Sequence, residues 1–294
     1  MTTTNIKGVI PAVPTPVSSK GELDTGRLIE FGSSLLAEGA NALNITGTTG
    51  EATSLSREQR HQIISDLGKS SIDKSRLMVG TGAAAVVDAV ALSRTAADNG
   101  FAAALLLPPF YFKDPSFDGL LRYFGAVVEG TATTAIPIYL YNFPALSGVP
   151  FTPDLVSALV DRFGDRIAGL KDSSGDLDYA AAIAQQFRSL RVFPSNEGTL
   201  MEARAGEFAG TISATANLSV QSCASAFQDG DKAELEKASS IRSVVAKGPL
   251  VPRIKALIAE RLNDSTWANV LPPYRRLSAQ EADLLHAEVK SGLG

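Results

Sequence analysis

The chain has 294 residues, which is enough for a (β/α)8 barrel of about 250 residues and an additional segment. Hydrophobic residues make up 45% and charged residues 20%, as is typical of a globular protein with a large core. The formal charge of -4 offers no basic surface for nucleic acid, and no apolar stretch is long enough to cross a membrane. The amino terminus lacks the apolar core of a signal peptide, and Cys223 is the single cysteine, so we expect a cytoplasmic protein without an internal disulfide.

Short β-type runs alternate along the chain with amphipathic segments of helical length, which favours a parallel sheet covered by helices. Helix starts are predicted at Asp24, at Ser56 with Gln59, and at Thr152 before Pro153. The fold class is therefore predicted as α/β, a (β/α)8 TIM barrel with a C-terminal helical appendage. The eight predicted strands are residues 8–13, 42–46, 77–80, 102–107, 136–141, 167–171, 192–194 and 210–213.

Eight such units end by about residue 229. The sequence therefore predicts a barrel domain at residues 1–229 and a C-terminal segment of about three helices at residues 230–294. No extended low-complexity linker precedes this segment, which favours an appendage to the barrel over an independent module.

The sixth predicted strand ends at Lys171, and a polar turn follows at once. Alternation along a strand puts Gly169 and Lys171 on one face, so the glycine is predicted to leave space below the amine. Burial beside such a space favours the neutral amine that attacks carbonyl groups, which makes Lys171 a candidate Schiff-base residue. A solvated lysine at a strand end fits the same pattern, so this residue alone does not decide between the two.

Polar residues also follow the second and fifth predicted strands, and the carboxyl ends of barrel strands meet at one face. Gly47 and Gly50 permit a tight turn whose amides, with the Thr48 and Thr49 hydroxyls, could hold a carboxylate or a phosphate. Tyr141 is predicted to face the barrel mouth, where a phenol could move protons near an imine. A purely structural turn and a packed tyrosine are the alternative interpretations.

Other chemistries have few suitable residues. His61 and His286 fall in predicted helices away from strand ends, so neither a His-rich metal site nor a Ser-His-Asp triad is predicted. Cys223 is predicted to be a packed thiol. No Gly-x-Gly-x-x-Gly follows a strand, which argues against a dinucleotide, so we expect no metal and no cofactor.

Six motifs stand in order along nearly the whole chain: Pro-Ala-Val-Pro-Thr-Pro at 11–16, Gly-Thr-Thr-Gly-Glu at 47–51, Pro-Pro-Phe-Tyr at 108–111, Tyr-Asn-Phe-Pro-Ala-Leu-Ser-Gly at 141–148, Gly-Leu-Lys-Asp-Ser-Ser-Gly-Asp at 169–176 and Ile-Ser-Ala-Thr-Ala-Asn at 212–217. Together they resemble the family of dihydrodipicolinate synthase and N-acetylneuraminate lyase, which are lysine-dependent class I aldolases.

The resemblance implies a role for each matching residue. Lys171 would form the imine with pyruvate or a pyruvate-derived 2-oxo acid, and Tyr141 would move protons at the reacting carbon and hydroxyl. Thr48 and Thr49 would bind the 2-oxo acid carboxylate and join the proton relay. Tyr111 matches a tyrosine that reaches into the site of a neighbouring subunit, which implies a homo-oligomer, a dimer of close partners within a tetramer. The predicted substrate-binding set also includes Gly47, Leu146, Asn196, Glu197 and Ile212.

Departures from the family pattern narrow the range of possible substrates. Leu146 stands where the synthase branch has a carboxylate-binding arginine, and leucine cannot replace a guanidinium fork. Ala214 stands where sialic acid lyases have a serine for the polyhydroxylated tail. Asn196 and Glu197 are expected to contact substrate hydroxyls. The best remaining substrate class is a 2-oxo-3-deoxy sugar acid.

The predicted function is therefore a lyase that cleaves such an acid to pyruvate and an aldehyde. A dehydratase or deaminase that uses the same imine, and a 4-hydroxy-tetrahydrodipicolinate synthase, are the enzyme alternatives. A barrel that senses 2-oxo acids without turnover is the alternative from another class.

Overall fold

The computed structural model describes residues 6–292 of the chain, and eight short parallel strands form its centre. Nearly every strand residue is buried, as expected when helices cover the outer face of a sheet and side chains fill the inner face. The strands are β1 (Gly8–Pro11), β2 (Leu43–Ile45), β3 (Leu77–Gly80), β4 (Ala103–Leu106), β5 (Ile138–Asn142), β6 (Ile167–Asp172), β7 (Arg191–Pro194) and β8 (Gly210–Ser213).

The strands close into a ring. Strands β2 to β7 pair in chain order, and β1 pairs with β8. Ala12 bridges to Asn44 between the ends of β1 and β2, and the Ala209 amide donates to the Val192 carbonyl (2.9 Å) between β8 and β7. The predicted (β/α)8 barrel is confirmed, and the strand ends differ from the predicted ones by at most two residues.

Helices follow the strands and cover the barrel. The Asp24 and Thr152 side chains accept from backbone amides at two helix starts, and Ser56 with Gln59 forms both bonds of a capping box, as predicted. Short 3-10 helices occupy Ala52–Ser54, Lys74–Arg76, Gly164–Arg166 and Glu197–Thr199. The α-helices are α1 (Thr25–Ala37), α2 (Arg57–Lys69), α3 (Val86–Asp98), α4 (Phe117–Gly130), α5 (Pro144–Ser147), α6 (Pro153–Phe163), α7 (Leu177–Gln186), α8 (Leu200–Ala205) and α9 (Ala216–Asp229).

The C-terminal segment adds three further helices within the described residues: α10 (Lys232–Val245), α11 (Leu250–Leu262) and α12 (Ala279–Gly292), with a 3-10 helix at Ser265–Ala268. The segment packs against the barrel, since the Trp267 ring lies 4.8 Å from the Phe31 ring of α1. The helical character agrees with the sequence prediction, and the domain boundary at residue 229 stays a prediction.

Inward-facing side chains fill the barrel. The Tyr139 ring lies where a side chain at position 169 would point, because a Cβ on Gly169 would be 2.3 Å from its Cε1 atom. The prediction that Gly169 leaves free space below the amine is therefore wrong. Inward-facing residues of neighbouring barrel strands interdigitate, so a glycine on β6 accommodates the large ring from β5.

Within residues 6–292, none of the helices combines the length and the apolar character that a membrane span requires.

Candidate active site

A cavity of about 280 Å³ opens where the strands end. Thr48, Thr49, Tyr141 and Lys171 line its barrel side, and residues from α10 to the start of α11 form another wall. The structure thus brings four sequence-predicted site residues together at the carboxyl face of the barrel, where barrel enzymes have their active sites.

Lys171 lies next to Tyr141 because the two residues are register partners on β6 and β5. The Lys171 Nζ atom is 4.3 Å from the centre of the Tyr141 ring, and both residues are 3% exposed. The negative face of an aromatic ring attracts an ammonium group, so this contact holds the lysine side chain in one place. The arrangement presents a buried amine to a ligand in the cavity.

The turn after β2 carries the two threonines over the barrel mouth. Thr46 has a positive φ of 49°, and its hydroxyl donates to the Gly80 carbonyl (3.0 Å). A Cβ at position 80 would lie 2.3 Å from the Thr46 carbonyl oxygen, so only glycine permits this close approach of β3. The bend brings the Thr48 Oγ1 atom to 3.1 Å from the Tyr141 hydroxyl. A proton can therefore pass between these two hydroxyls.

A buried ion pair fixes the same turn from the C-terminal segment. The Lys255 Nζ atom of α11 is 2.6 Å from Glu51 Oε1 and donates to the Thr15 carbonyl (2.8 Å), while the Leu271 amide donates to Glu51 Oε2 (2.6 Å). Neither charged side chain is exposed. Burial lowers the pKa of Lys255, and the Glu51 carboxylate opposes this shift. We expect the pair to hold the turn rigidly under Thr48 and Thr49.

The residue after the lysine is also buried and lines the cavity. Asp172 accepts from the Asn142 side chain (2.7 Å) and from the Ser174 hydroxyl (2.8 Å), which ties together the ends of β5 and β6. Burial raises the pKa of Asp172, and the two hydrogen bonds oppose this shift.

Asn196 and Glu197 follow β7, but only Asn196 lines the cavity. The Glu197 carboxylate is fully buried behind the wall, where it accepts from the Ser213 and Thr215 hydroxyls and from Arg242 of α10. The expectation that Glu197 contacts substrate hydroxyls does not fit this position. Its oxygens already have protein partners, so it holds other residues in place.

Four other predicted site residues do not line the cavity. Gly47 and Ile212 are buried beside it, whereas Leu146 on α5 is 56% exposed and Tyr111 in the turn after β4 is 75% exposed. A single chain therefore does not bring Tyr111 to Lys171, and the role of this tyrosine stays a prediction about an assembly.

The histidines and the cysteine lie in helices, as predicted. His61 is in α2 with its Nδ1 atom 3.0 Å from the Thr95 hydroxyl, and His286 is in α12. Cys223 is buried in α9, and burial raises the pKa of its thiol. In the described part of the chain, no three His, Cys, Asp or Glu side chains cluster as a metal site would require.

The fold and the cavity define an enzyme of the (β/α)8-barrel class. Residues 5–291 match the model of the dihydrodipicolinate synthetase family, so the chain belongs to that family and is a lyase. It is 33% identical to an uncharacterized DapA-like lyase of Chloroflexus aurantiacus, over 96% of this chain and 95% of that protein.

Two crystal structures resemble the protein over nearly their whole length. Dihydrodipicolinate synthase from Agrobacterium tumefaciens has a TM-score of 0.90 at 27% identity, covering 97% of this chain and 99% of that one. YagE, a prophage protein of the dihydrodipicolinic acid synthase family from Escherichia coli K12 that was solved in complex with pyruvate, has a TM-score of 0.86 at 27% identity, covering 98% of each chain.

Proposed function

We propose that the protein is a Schiff-base lyase that cleaves a 2-oxo-3-deoxy sugar acid into pyruvate and an aldehyde. The observation that carries this proposal is the buried Lys171 amine in the cavity, next to the hydrogen-bonded hydroxyls of Tyr141 and Thr48. The pyruvate complex of YagE supports a three-carbon 2-oxo acid as the part of the substrate that binds nearest the lysine.

The reaction begins when the Lys171 amine attacks the C2 carbonyl, one proton is taken up from solvent and water leaves, which gives a protonated imine. The Thr48 and Thr49 side chains hold the C1 carboxylate. Tyr141 then takes the proton of the C4 hydroxyl as it passes its own proton along the Thr48 hydroxyl. The C3–C4 bond breaks, and the bonding electrons move to the imine to form an enamine. The aldehyde leaves, C3 takes up a proton, and water hydrolyses the imine to release pyruvate and the free lysine.

Two positions at which the cavity wall lacks a polar side chain support this substrate class. Leu146, which stands where the synthase branch has an arginine, is exposed outside the cavity. Ala214 lines the cavity without a hydroxyl for a sialic acid tail. Both residues favour a shorter sugar acid over the synthase and sialic acid reactions. A dehydratase or deaminase that forms the same imine is the second candidate, because the lysine and tyrosine geometry serves both.

A product analysis across 2-oxo-3-deoxy acids of five and six carbons tests the proposal. An aldolase releases pyruvate and an aldehyde in equal amounts, whereas a dehydratase consumes the acid without releasing pyruvate. Consumption of pyruvate only with aspartate semialdehyde would show the synthase reaction. Binding of 2-oxo acids without turnover of any candidate would contradict the proposal and favour a sensor.

A further inference from the structure

Arg242 brings a second cation to the cavity from α10. Its side chain is 34% exposed and lines the cavity that contains Lys171. The Nη1 atom is 3.1 Å from Glu197 Oε2 and 3.5 Å from the Ser213 hydroxyl. Lys171 and Arg242 are the only lysine or arginine side chains among the described residues that line this cavity.

One edge of the Arg242 guanidinium has no hydrogen-bond partner in the described part of the chain. All of its hydrogen bonds to residues 6–292 leave from Nη1, so Nε and Nη2 have no acceptor there. These two nitrogens present parallel N–H groups in one plane, which is the geometry that binds a carboxylate through both of its oxygens. The free edge is therefore a ready carboxylate-binding group.

Glu197 holds this group in position. It is fully buried, and its other oxygen accepts from the Ser213 and Thr215 hydroxyls, so its carboxylate cannot turn without breaking these bonds. Its bond to Nη1 fixes the guanidinium plane before a ligand arrives. A fixed guanidinium loses little side-chain entropy on binding, and this favours affinity.

We propose that Arg242 binds a second carboxylate, carried on the aldehyde half of the substrate, so that the substrate is a 2-oxo-3-deoxy diacid. This rests on the proposed imine at Lys171. The C1 carboxylate is next to the imine carbon and belongs with Thr48 and Thr49, which leaves Arg242 for a carboxylate further along the carbon chain. Glu197 is a positioning residue in this arrangement, and Arg242 touches the substrate.

Trapping of the imine with borohydride measures the preference for a diacid without any turnover. The probes are matched by length: 2-oxoglutarate against 2-oxopentanoate, and 2-oxoadipate against 2-oxohexanoate, with pyruvate as the common reference. The readout is the concentration of each acid that gives half-maximal adduct on Lys171. At one or both chain lengths, the wild-type protein should trap the diacid at a concentration at least about tenfold lower, as expected for a charge-assisted bidentate contact.

Arg242→Gln should abolish this difference and leave the half-maximal pyruvate concentration unchanged within about twofold. Arg242→Lys, which keeps the charge without the fork, should restore only part of it. Lys247→Gln is the matched control, because it removes a positive charge just after α10 from an exposed residue that does not line the cavity.

The possible failures are distinct. Equal trapping of diacids and monoacids by the wild-type protein would overturn the inference. An Arg242→Gln variant that traps pyruvate as poorly as it traps the diacids would also overturn it, because Arg242 would then bind the C1 carboxylate or act only on the fold. The absence of any pyruvate adduct in the wild-type protein would overturn the proposed function itself, and this inference with it.

Discussion

Tyr141 contacts both groups that its proposed role requires. Its ring faces the Lys171 amine, and its hydroxyl is 3.1 Å from the Thr48 hydroxyl. The ring and the hydroxyl therefore have different roles: the ring holds the lysine, and the hydroxyl transfers the proton. A substitution that keeps the ring and removes the hydroxyl separates these two roles.

Tyr141→Phe should lower kcat roughly 100-fold or more, because general acid–base catalysis is lost. Imine formation with pyruvate should persist, since the aromatic contact with Lys171 remains. Steady-state kinetics and borohydride trapping on the same preparation measure both effects. A variant with unchanged kcat would show that this hydroxyl is not the proton-transfer group.

Asp172 gives the stability of the protein a pH dependence of known sign. Burial raises its pKa above the ordinary value of 3.8, so the folded protein holds this proton more tightly than the unfolded chain does. The protonated Asp172 carboxyl contributes its full amount to the free energy of unfolding at pH values below 3.8. This contribution is lost as pH rises through the pKa that Asp172 has in the folded protein.

The free energy of unfolding of the wild-type protein should therefore fall relative to that of Asp172→Asn as pH rises above the ordinary pKa of 3.8 and through the raised pKa of the folded protein. Urea denaturation at several pH values measures the difference between the two proteins. A difference that does not change with pH would contradict the raised pKa.

The turn after β2 depends on a contact with α11, a helix that is more than 200 residues away in sequence. Lys255 of α11 and Glu51 of the turn are both fully buried, and each satisfies further backbone groups. Removal of one partner leaves an uncompensated buried charge, which is costly, whereas removal of both is much less so.

Lys255→Met should lower the free energy of unfolding by about 3–5 kcal/mol, and adding Glu51→Gln should recover most of this loss. Denaturation curves of the single and the double variant measure the loss and the recovery. Since the turn carries Thr48 and Thr49, the single variant should also bind pyruvate more weakly. If the double variant is no more stable than the single one, the buried charge is not the cause.

The barrel elements were predictable because their signals are local. Strand alternation, the capping box at Ser56 and the proline at the first turn of α6 each involve neighbouring residues. The motif residues Lys171 and Tyr141 met in the cavity because each was placed at a strand end, where the fold brings strands together.

Residues whose environment depends on distant elements were not predictable. Nothing near Lys255 or Arg242 in the sequence indicates that these helical side chains reach the β2 turn and the cavity. The Tyr139 ring fills the space at Gly169 for the same reason, since the packing depends on the register of β5 against β6. Glu197 follows a strand end, which is a typical position for a binding residue, but its hydrogen-bond partners come from β8 and α10.

The turn after β4 exposes two neighbouring aromatic side chains to solvent. Tyr111 and Phe112 are each 75% exposed and contact one another edge to face, with ring centres 5.3 Å apart. Lys113 donates to the Ser147 carbonyl (3.1 Å), which sets this turn against α5, where Leu146 is also exposed. Such a surface favours self-association, and we propose a homo-oligomer, a dimer of dimers. The cytoplasmic location stays a prediction.

If Tyr111 completes the site of a partner subunit, two inactive variants should complement each other. Mixing Lys171→Ala with Tyr111→Phe should restore up to about a quarter of the wild-type activity after random exchange in dimers, because half of the sites in mixed dimers combine an intact lysine with an intact tyrosine. Activity assays after verified subunit exchange measure this. No recovery, or a fully active monomer, would refute the shared site.

The most direct test of the central claim is to locate the imine. The protein is treated with pyruvate and borohydride, digested, and searched by mass spectrometry for a reduced pyruvate adduct on every lysine-containing peptide. The account predicts one adduct, on Lys171, and its disappearance in Lys171→Ala. An adduct that forms on another lysine, or a Lys171→Ala variant with full turnover, would contradict it.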